Sequence, residues 1–140
     1  QSRGLGDVYK RQNINLQAGT MKGGTKTKAG KNRLVPIHSK IRPLVEARLA
    51  ESGPRLISYN GRACSQTQYR IFWADIMKAL GMNHTPHECR HTFRSRLDSA
   101  GANKVCIDRL MGHKSKGTGE RVYTHKNIEE LRLNIELITN

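Results

Sequence analysis

Acidic residues are scarce in this sequence: 11 Asp and Glu stand against 25 Lys and Arg, a formal net charge of +14 with a pI near 10.3. That imbalance excludes a neutral surface and predicts a polyanionic partner, either nucleic acid or an anionic membrane. Long apolar runs are missing too. None approaches the ~18–20 residues needed to span a bilayer, and the N-terminus carries no hydrophobic signal core. We therefore expect no membrane partner. Cysteine is sparse and odd in number, 3 in all (Cys64, Cys89, Cys106). A disulfide framework is thus not expected and a reducing compartment is. Internal repeats and low-complexity tracts are absent. What is present is 36% hydrophobic residues in 140, enough for a single modest core.

Residues 1–12 differ from the rest. They carry Gly4 and Gly6, no apolar periodicity and no cap pattern, and the run GLGDVYKRQ resembles a translated sequencing-adapter scar. We read them as a non-native or disordered lead-in, outside the fold. From Asn13, Ile14 and Leu16 alternate as a strand would. Residues 20–27 and 31–37 flank the turn signal Ala29-Gly30 and predict a hairpin, with Leu34, Val35 and Ile37 as its apolar content and Pro36 near its end.

The remainder has helical spacing. Ser39 is placed to cap a helix with Ile41, Leu44, Val45 and Leu49 on its apolar positions and Pro43 in its first turn. Residues 52–64 read mainly as loop. Ser65 with Gln68 forms a capping box, and Tyr69, Phe72, Trp73, Ile76, Met77 and Leu80 form one wide stripe before Gly81. Because these aromatics share a single face, we expect them in the core rather than on a base-stacking platform. Thr85, Pro86 and Glu88 open another helix that runs to about Ala100 and stops at Gly101. Asn103 caps a shorter helix through Val105, Ile107 and Leu110, stopped by Gly112. A short helical piece over 120–124 and a last helix over 127–138 complete the chain. The predicted class is α+β: a mainly helical domain with a small antiparallel sheet or hairpin at its N-terminal side.

Residues 87–91 read His-Glu-Cys-Arg-His, and two chemistries compete for them. Formally this is H-E-x-x-H, two histidines at i and i+4 for zinc and a glutamate to polarise water. Against it, Arg90 lies inside the motif, Arg94 and Arg96 follow on the same helix, and Glu129 or Glu130, the carboxylates left to complete such a site, are far along the chain. The second reading pairs His87 with Arg90 on one face of the first turn, where free N–H groups and the helix dipole favour an anion such as phosphate. Arginine offers a planar fork of donors to phosphate oxygens, and imidazole can accept or donate a proton near neutrality. The second reading gains weight downstream: Leu110-Met111-Gly112-His113 sets a histidine just past a helix stop, and Tyr123 follows in Val122-Tyr123-Thr124-His125.

In HECRHTF (87–93), LMGH (110–113), VYTH (122–125) and KTKAGKNRLVPI (26–37), in that family's order and spacing, the sequence resembles the catalytic domain of the tyrosine recombinases, the phage-integrase family. The resemblance covers roughly residue 13 to the end. It implies site-specific DNA cleavage and rejoining through a 3′-phosphotyrosine intermediate, with double-stranded DNA as partner and no metal or cofactor. By that resemblance Tyr123 is the nucleophile, Arg90 and His113 surround the phosphate, His87 handles a proton, and a hairpin lysine is the acid for the leaving 5′-oxygen. We take Lys28 for that role, with Lys26 and Lys31 open if the register slips. Lys26, Lys31, Arg33, Arg94, Lys114 and Lys116 are expected to contact DNA. His91 is expected to pack rather than carry a proton, and the cysteines to be buried small residues.

The family's site also uses an arginine on a helix upstream of the first strand, and the family has an N-terminal clamp domain. Nothing upstream of Asn13 can supply either, Arg3 and Arg11 falling in the lead-in. Residues 13–140 therefore read as a partial catalytic domain, expected to bind DNA weakly and to cleave poorly or not at all. The resemblance further implies a homo-oligomer, a tetramer on DNA, for the full-length parent, in the cytoplasm of a bacterial cell at the nucleoid. Ile128, Leu131, Ile135 and Ile138 form a stripe on the last helix, open either to a neighbouring protomer or to the chain's own core. Other functions weighed are a non-catalytic DNA-binding remnant, a type IB topoisomerase-like nicking-closing activity and a zinc metallopeptidase.

Overall fold

A computed structural model describes residues 10–24, 30–113 and 128–139. After a 3-10 turn at Arg11–Asn13, the strands β1 (Ile14–Asn15), β2 (Thr20–Gly23) and β3 (Arg33–Pro36) form an antiparallel sheet in the order β1-β2-β3. The hairpin predicted from the turn signal pairs Thr20 with Pro36 and Gly23 with Arg33. Its throat is tight: a Cβ at Gly24 (φ +106) would collide with the Gly30 carbonyl. Pro36 lacks an N–H but lies on edge strand β3, where no ladder bond is lost.

Helix α1 (Arg42–Ala50) follows, then β4 (Ser58–Tyr59) and β5 (Arg62–Ala63), which pair antiparallel. The stretch read as loop thus holds a small hairpin. Asn60 (φ 50) and Gly61 (φ 73) supply the two left-handed residues that a two-residue hairpin turn requires. Helices α2 (Gln66–Leu80), α3 (Pro86–Ser99), α4 (Lys104–Met111) and α5 (Ile128–Ile135) complete the described elements. The α+β class expected from the pattern is the class observed. No helix of the described residues is long and apolar enough to cross a membrane.

The caps explain most helix boundaries. Ser65 and Gln68 exchange both bonds of a capping box at the start of α2, and Gly81 closes it in the left-handed conformation. At α3, Glu88 accepts from the Thr85 N–H and, at 2.9 Å, from the Thr85 hydroxyl. At α4, Asn103 Oδ1 accepts from the Val105 N–H at 2.9 Å, and Gly112 ends the helix at φ 70. The expected cap of α1 is different: Ile41 takes the cap position without a side-chain bond. Ser39 instead gives its N–H and hydroxyl to Glu136, at 2.7 and 2.6 Å. That pairing holds the Glu136 carboxyl below its ordinary value, the Ser39 hydroxyl bond being the main cause.

The core lies where α3, α4 and α5 meet, around Leu97, Cys106, Ile107, Leu110, Met111, Leu131 and Ile135, with Val35 of β3 and Phe93 packed against it. The two uses left open for the last helix resolve here. Ile128, Leu131, Ile135 and Ile138 all turn to the chain's own core. Arg132 reinforces this by donating to Ala18 O at 2.7 Å and Gly19 O at 3.3 Å, and His38 Nε2 meets Ile138 O at 2.8 Å. Arg11, within the expected lead-in, donates to the carbonyls of Arg48, Leu49 and Arg55 and so joins the C-terminal end of α1.

Two expectations about burial do not hold. The aromatic stripe of α2 is not core: no α2 residue is buried, Ile76 being 50% and Leu80 62% exposed. It is met at its edges, by Tyr59 edge-on to Phe72 and by the His84 carbonyl, which accepts from Trp73 Nε1. Helical periodicity fixes which side chains share a face, and a face becomes core only where another element lies across it. Nor are all cysteines buried; Cys64 and Cys106 are, whereas Cys89 is exposed.

Candidate active site

Three elements converge on one small region. Successive turns of α3 carry Arg90 and Arg94, the end of α4 delivers His113 just after the Gly112 reversal, and the start of β3 supplies Arg33. Arg90 Nη2 donates to the Met111 carbonyl at 2.5 Å and lies 2.9 Å from His113 Nε2. On the other side of the ring, Arg94 Nη1 stands 3.3 Å from His113 Nδ1. Asp108, buried on α4, is 3.7 Å from Arg94 Nη1.

The imidazole is therefore flanked by a guanidinium at each ring nitrogen. Guanidinium only donates, and neutral imidazole has one acceptor nitrogen and one N–H. One of the two contacts is accordingly a donor facing a donor. Protonation gives no relief, since a third positive charge would join the pair. Burial first, then the charges of Arg90 and Arg94, with a smaller effect of Arg33, hold His113 below the ordinary imidazole value, Asp108 opposing them. Partial burial and the neighbouring Arg33 and Arg94 charges likewise lower Arg90. Arg33, Arg90 and Arg94 thus face the single carboxylate of Asp108 among the described residues at this site. An anion inserted among them would supply the missing acceptors and neutralise the excess charge, and phosphate has the oxygens to do so.

Of the residues singled out in the sequence, Arg33, Arg90, Arg94 and His113 come together. His87 does not join them by any hydrogen bond among the described residues. It is exposed, and its ring packs edge-on against His91 at 4.9 Å. His91, expected to pack, is itself exposed apart from that contact. Lys31 is exposed on the hairpin. Tyr123, Lys26, Lys28, Lys114, Lys116 and the helical piece expected over 120–124 lie outside the described residues.

Sequence reasoning passed over two members of the cluster. Asp108 was signalled by a carboxylate on the buried side of a short apolar helix, a placement that demands a cationic partner. Gly112 is more than a helix stop, since a Cβ there would lie 2.9 Å from Arg33 Nη1 and 3.2 Å from Gly30 Cα. The zinc reading finds no supporting geometry. Glu88 is turned away from the histidine pair to cap Thr85 and to meet His84 at 3.3 Å. Those bonds, the Thr85 N–H foremost, pull its pKa down to about 2. Among the described residues no three His, Cys, Asp or Glu are grouped to hold a metal.

The model of the phage integrase family matches residues 9–130. Curated relatives include the tyrosine recombinase XerA of Thermococcus kodakarensis, 30% identical over 132 residues that cover 88% of this chain and 45% of the relative. The tyrosine recombinase XerD of Lacticaseibacillus casei is 31% identical over 119 residues, covering 74% and 39% respectively. The XerC of Pelobacter propionicus is 30% identical over 128 residues, covering 86% and 41%. The chain thus spans less than half the length of each of these relatives. No solved structure matches it significantly.

Proposed function

The chain belongs to the phage integrase family of tyrosine recombinases, and on that premise we propose that it is part of the catalytic domain of a site-specific DNA recombinase. The observation that carries the proposal is His113 clamped between Arg90 and Arg94, where donors outnumber acceptors. A scissile phosphate fits that need. Tyr123 forms an O–P bond, the P–O5′ bond breaks, and the DNA 3′-phosphate is left on the tyrosine. The 5′-oxygen takes a proton from Lys28, and a second 5′-hydroxyl later reverses the step. A phenol titrates near ~10, so its attack depends on a proton acceptor, the role of His87, and on positive charge around the phosphate. Because phosphoryl transfer depends mainly on positioning and charge stabilisation, the guanidiniums carry most of the catalytic effect.

Lys26, Lys31, Arg33, Arg94, Lys114 and Lys116 contact the backbone of double-stranded DNA. The parent acts as a homo-oligomer on DNA, a tetramer, in the cytoplasm at the nucleoid. A nicked duplex that traps the covalent intermediate tests this reading. The chain is expected to yield a small amount of protein–DNA adduct that vanishes in Tyr123→Phe while DNA binding persists. An adduct surviving that substitution refutes the assignment of the nucleophile. Binding without any adduct in the unsubstituted chain instead favours a non-catalytic DNA-binding remnant.

A further inference from the structure

Arg33 is the member of the cluster whose position local structure does not explain. It is the first residue of β3, partly buried, and among the described residues its only side-chain hydrogen bond is a long one, Nη1 to Gly30 O at 3.3 Å. Its guanidinium rests on the α4 stop, where a Cβ at Gly112 would lie 2.9 Å from Nη1 and 3.2 Å from Cζ. Its Nε is buried and has no hydrogen-bond partner among the described residues. No carboxylate among the described residues forms an ion pair with it. Burying a charged donor unpaired is costly, and such groups in native proteins ordinarily mark a place where a ligand or ion completes the bonding.

The surroundings raise the cost further. The charge of Arg33 is felt at Arg90 and at His113, both pushed down by it. A solvated lysine or arginine on a hairpin would be expected to swing away from two cations into water. Arg33 instead lies against a glycine that leaves room for it, beside like charges. Folding therefore stores an arrangement that is unfavourable until an anion arrives.

We propose that Arg33 is a phosphate-binding residue of this site, its guanidinium donating to a backbone phosphate held jointly with Arg90 and His113. This rests on the reading of the cluster as a phosphate site and adds to it a third guanidinium, delivered by the sheet rather than by the helices. It also gives Gly112 a second role, as the seat that keeps the Arg33 fork within reach of the His113 side of the site.

Inorganic phosphate is the probe, titrated into the full chain while the His113 ring is followed by NMR. Wild type, Arg33→Gln, Arg33→Lys, Arg90→Gln and the distant Arg48→Gln on α1 are compared, each checked for folding by circular dichroism. Arg33→Gln is expected to weaken phosphate about tenfold, the effect of losing a charge-assisted bidentate contact. Arg33→Lys, which keeps the charge but not the fork, should recover only part of it, and Arg48→Gln should match wild type. In phosphate-free buffer Arg33→Gln should also raise the His113 pKa. If Arg33→Gln binds phosphate as wild type does while Arg90→Gln fails, the proposal is overturned and the phosphate site stands. If neither substitution matters, or His113 shows no saturable shift in wild type, the phosphate reading falls and the proposal with it. Should Arg33→Gln not fold, Arg33→Lys decides: weaker binding supports the proposal, and unchanged affinity overturns it.

Discussion

Gly81 and Gly112 end α2 and α4 in almost the same backbone conformation, φ 63 and φ 70, and this makes an internal control possible. An alanine in the left-handed region costs about 1–2 kcal/mol from backbone sterics alone, so Gly81→Ala and Gly112→Ala should share that loss. They differ in surroundings. A Cβ at Gly81 meets nothing within 4 Å, whereas one at Gly112 meets Arg33 Nη1 at 2.9 Å, Arg33 Cζ at 3.2 Å and Gly30 Cα at 3.2 Å. The guanidinium is the flexible end of a long side chain and can yield, but the Gly30 backbone lies at the mouth of the hairpin. An overpacking cost at the low end of the usual range, about 1 kcal/mol, should therefore add to Gly112→Ala. Urea unfolding followed by far-ultraviolet circular dichroism should show Gly81→Ala down by about 1–2 kcal/mol and Gly112→Ala by about 2–3 kcal/mol. The functional split should be sharper. The new methyl pushes Arg33 off its seat, so phosphate affinity should fall in Gly112→Ala and stay at wild type in Gly81→Ala. Equal destabilisation of the two variants, with phosphate binding intact in both, would refute the packing of Arg33 on Gly112.

Other outcomes follow from the same geometry. Leu97, 0% exposed in the α3–α4–α5 core, should lose about 2–5 kcal/mol as Leu97→Ala. Ile76→Ala on the open face of α2 should stay within about 0.5 kcal/mol of wild type, and a loss as large as that of Leu97→Ala would mean the face is covered. His113 should titrate below ordinary imidazole by NMR and move upward in Arg94→Gln, since that substitution removes one of its flanking charges. With its folded value depressed, the unfolded chain binds the proton more readily, so His113 lowers stability as pH falls through the unfolded imidazole range; bound phosphate should reverse the shift. Glu88 works at lower pH. Its carboxylate adds stability above the unfolded value of 4.5 that is lost as pH falls toward about 2, so the stability difference between wild type and Glu88→Gln, read by urea unfolding, should shrink on acidification.

Local rules left clear marks in the sequence. Ser65 with Gln68, Thr85 with Glu88, and Asn103 announced helix starts that the structure reproduces, because a cap involves only residues three or fewer positions apart. The hairpin was legible for the same reason, its turn and its apolar strands being neighbours in the chain. Two of the failures concern partners distant in sequence. Ser39 looked like a cap and binds Glu136, which is 97 residues away. The α2 stripe looked like core, although what covers a helix face is not encoded in that helix. Asn60-Gly61 carried a hairpin signal that was overlooked because its flanking strands, of 2 residues each, are too short to show alternation.

The site divides along the same line. Arg90 and Arg94 could be placed on one helix by spacing, and His113 past a glycine stop by composition, but their meeting depends on how α3 packs against α4. That packing is set by Leu97, Cys106, Ile107 and Leu110, residues with no chemistry of their own. It places the imidazole between two arginines 4 residues apart on α3, one helical turn, so that a single ring spans both. The core thereby does more than stabilise: it forces together charges that would otherwise separate into water, and a site already burdened with unpaired donors gains more from a phosphate than a solvated patch of the same residues would. Relaxing the core should then weaken anion binding before it abolishes the fold. The Leu97→Ala variant, folded but looser around α3 and α4, is where that coupling should become measurable as a phosphate affinity lower than its remaining helix content would suggest.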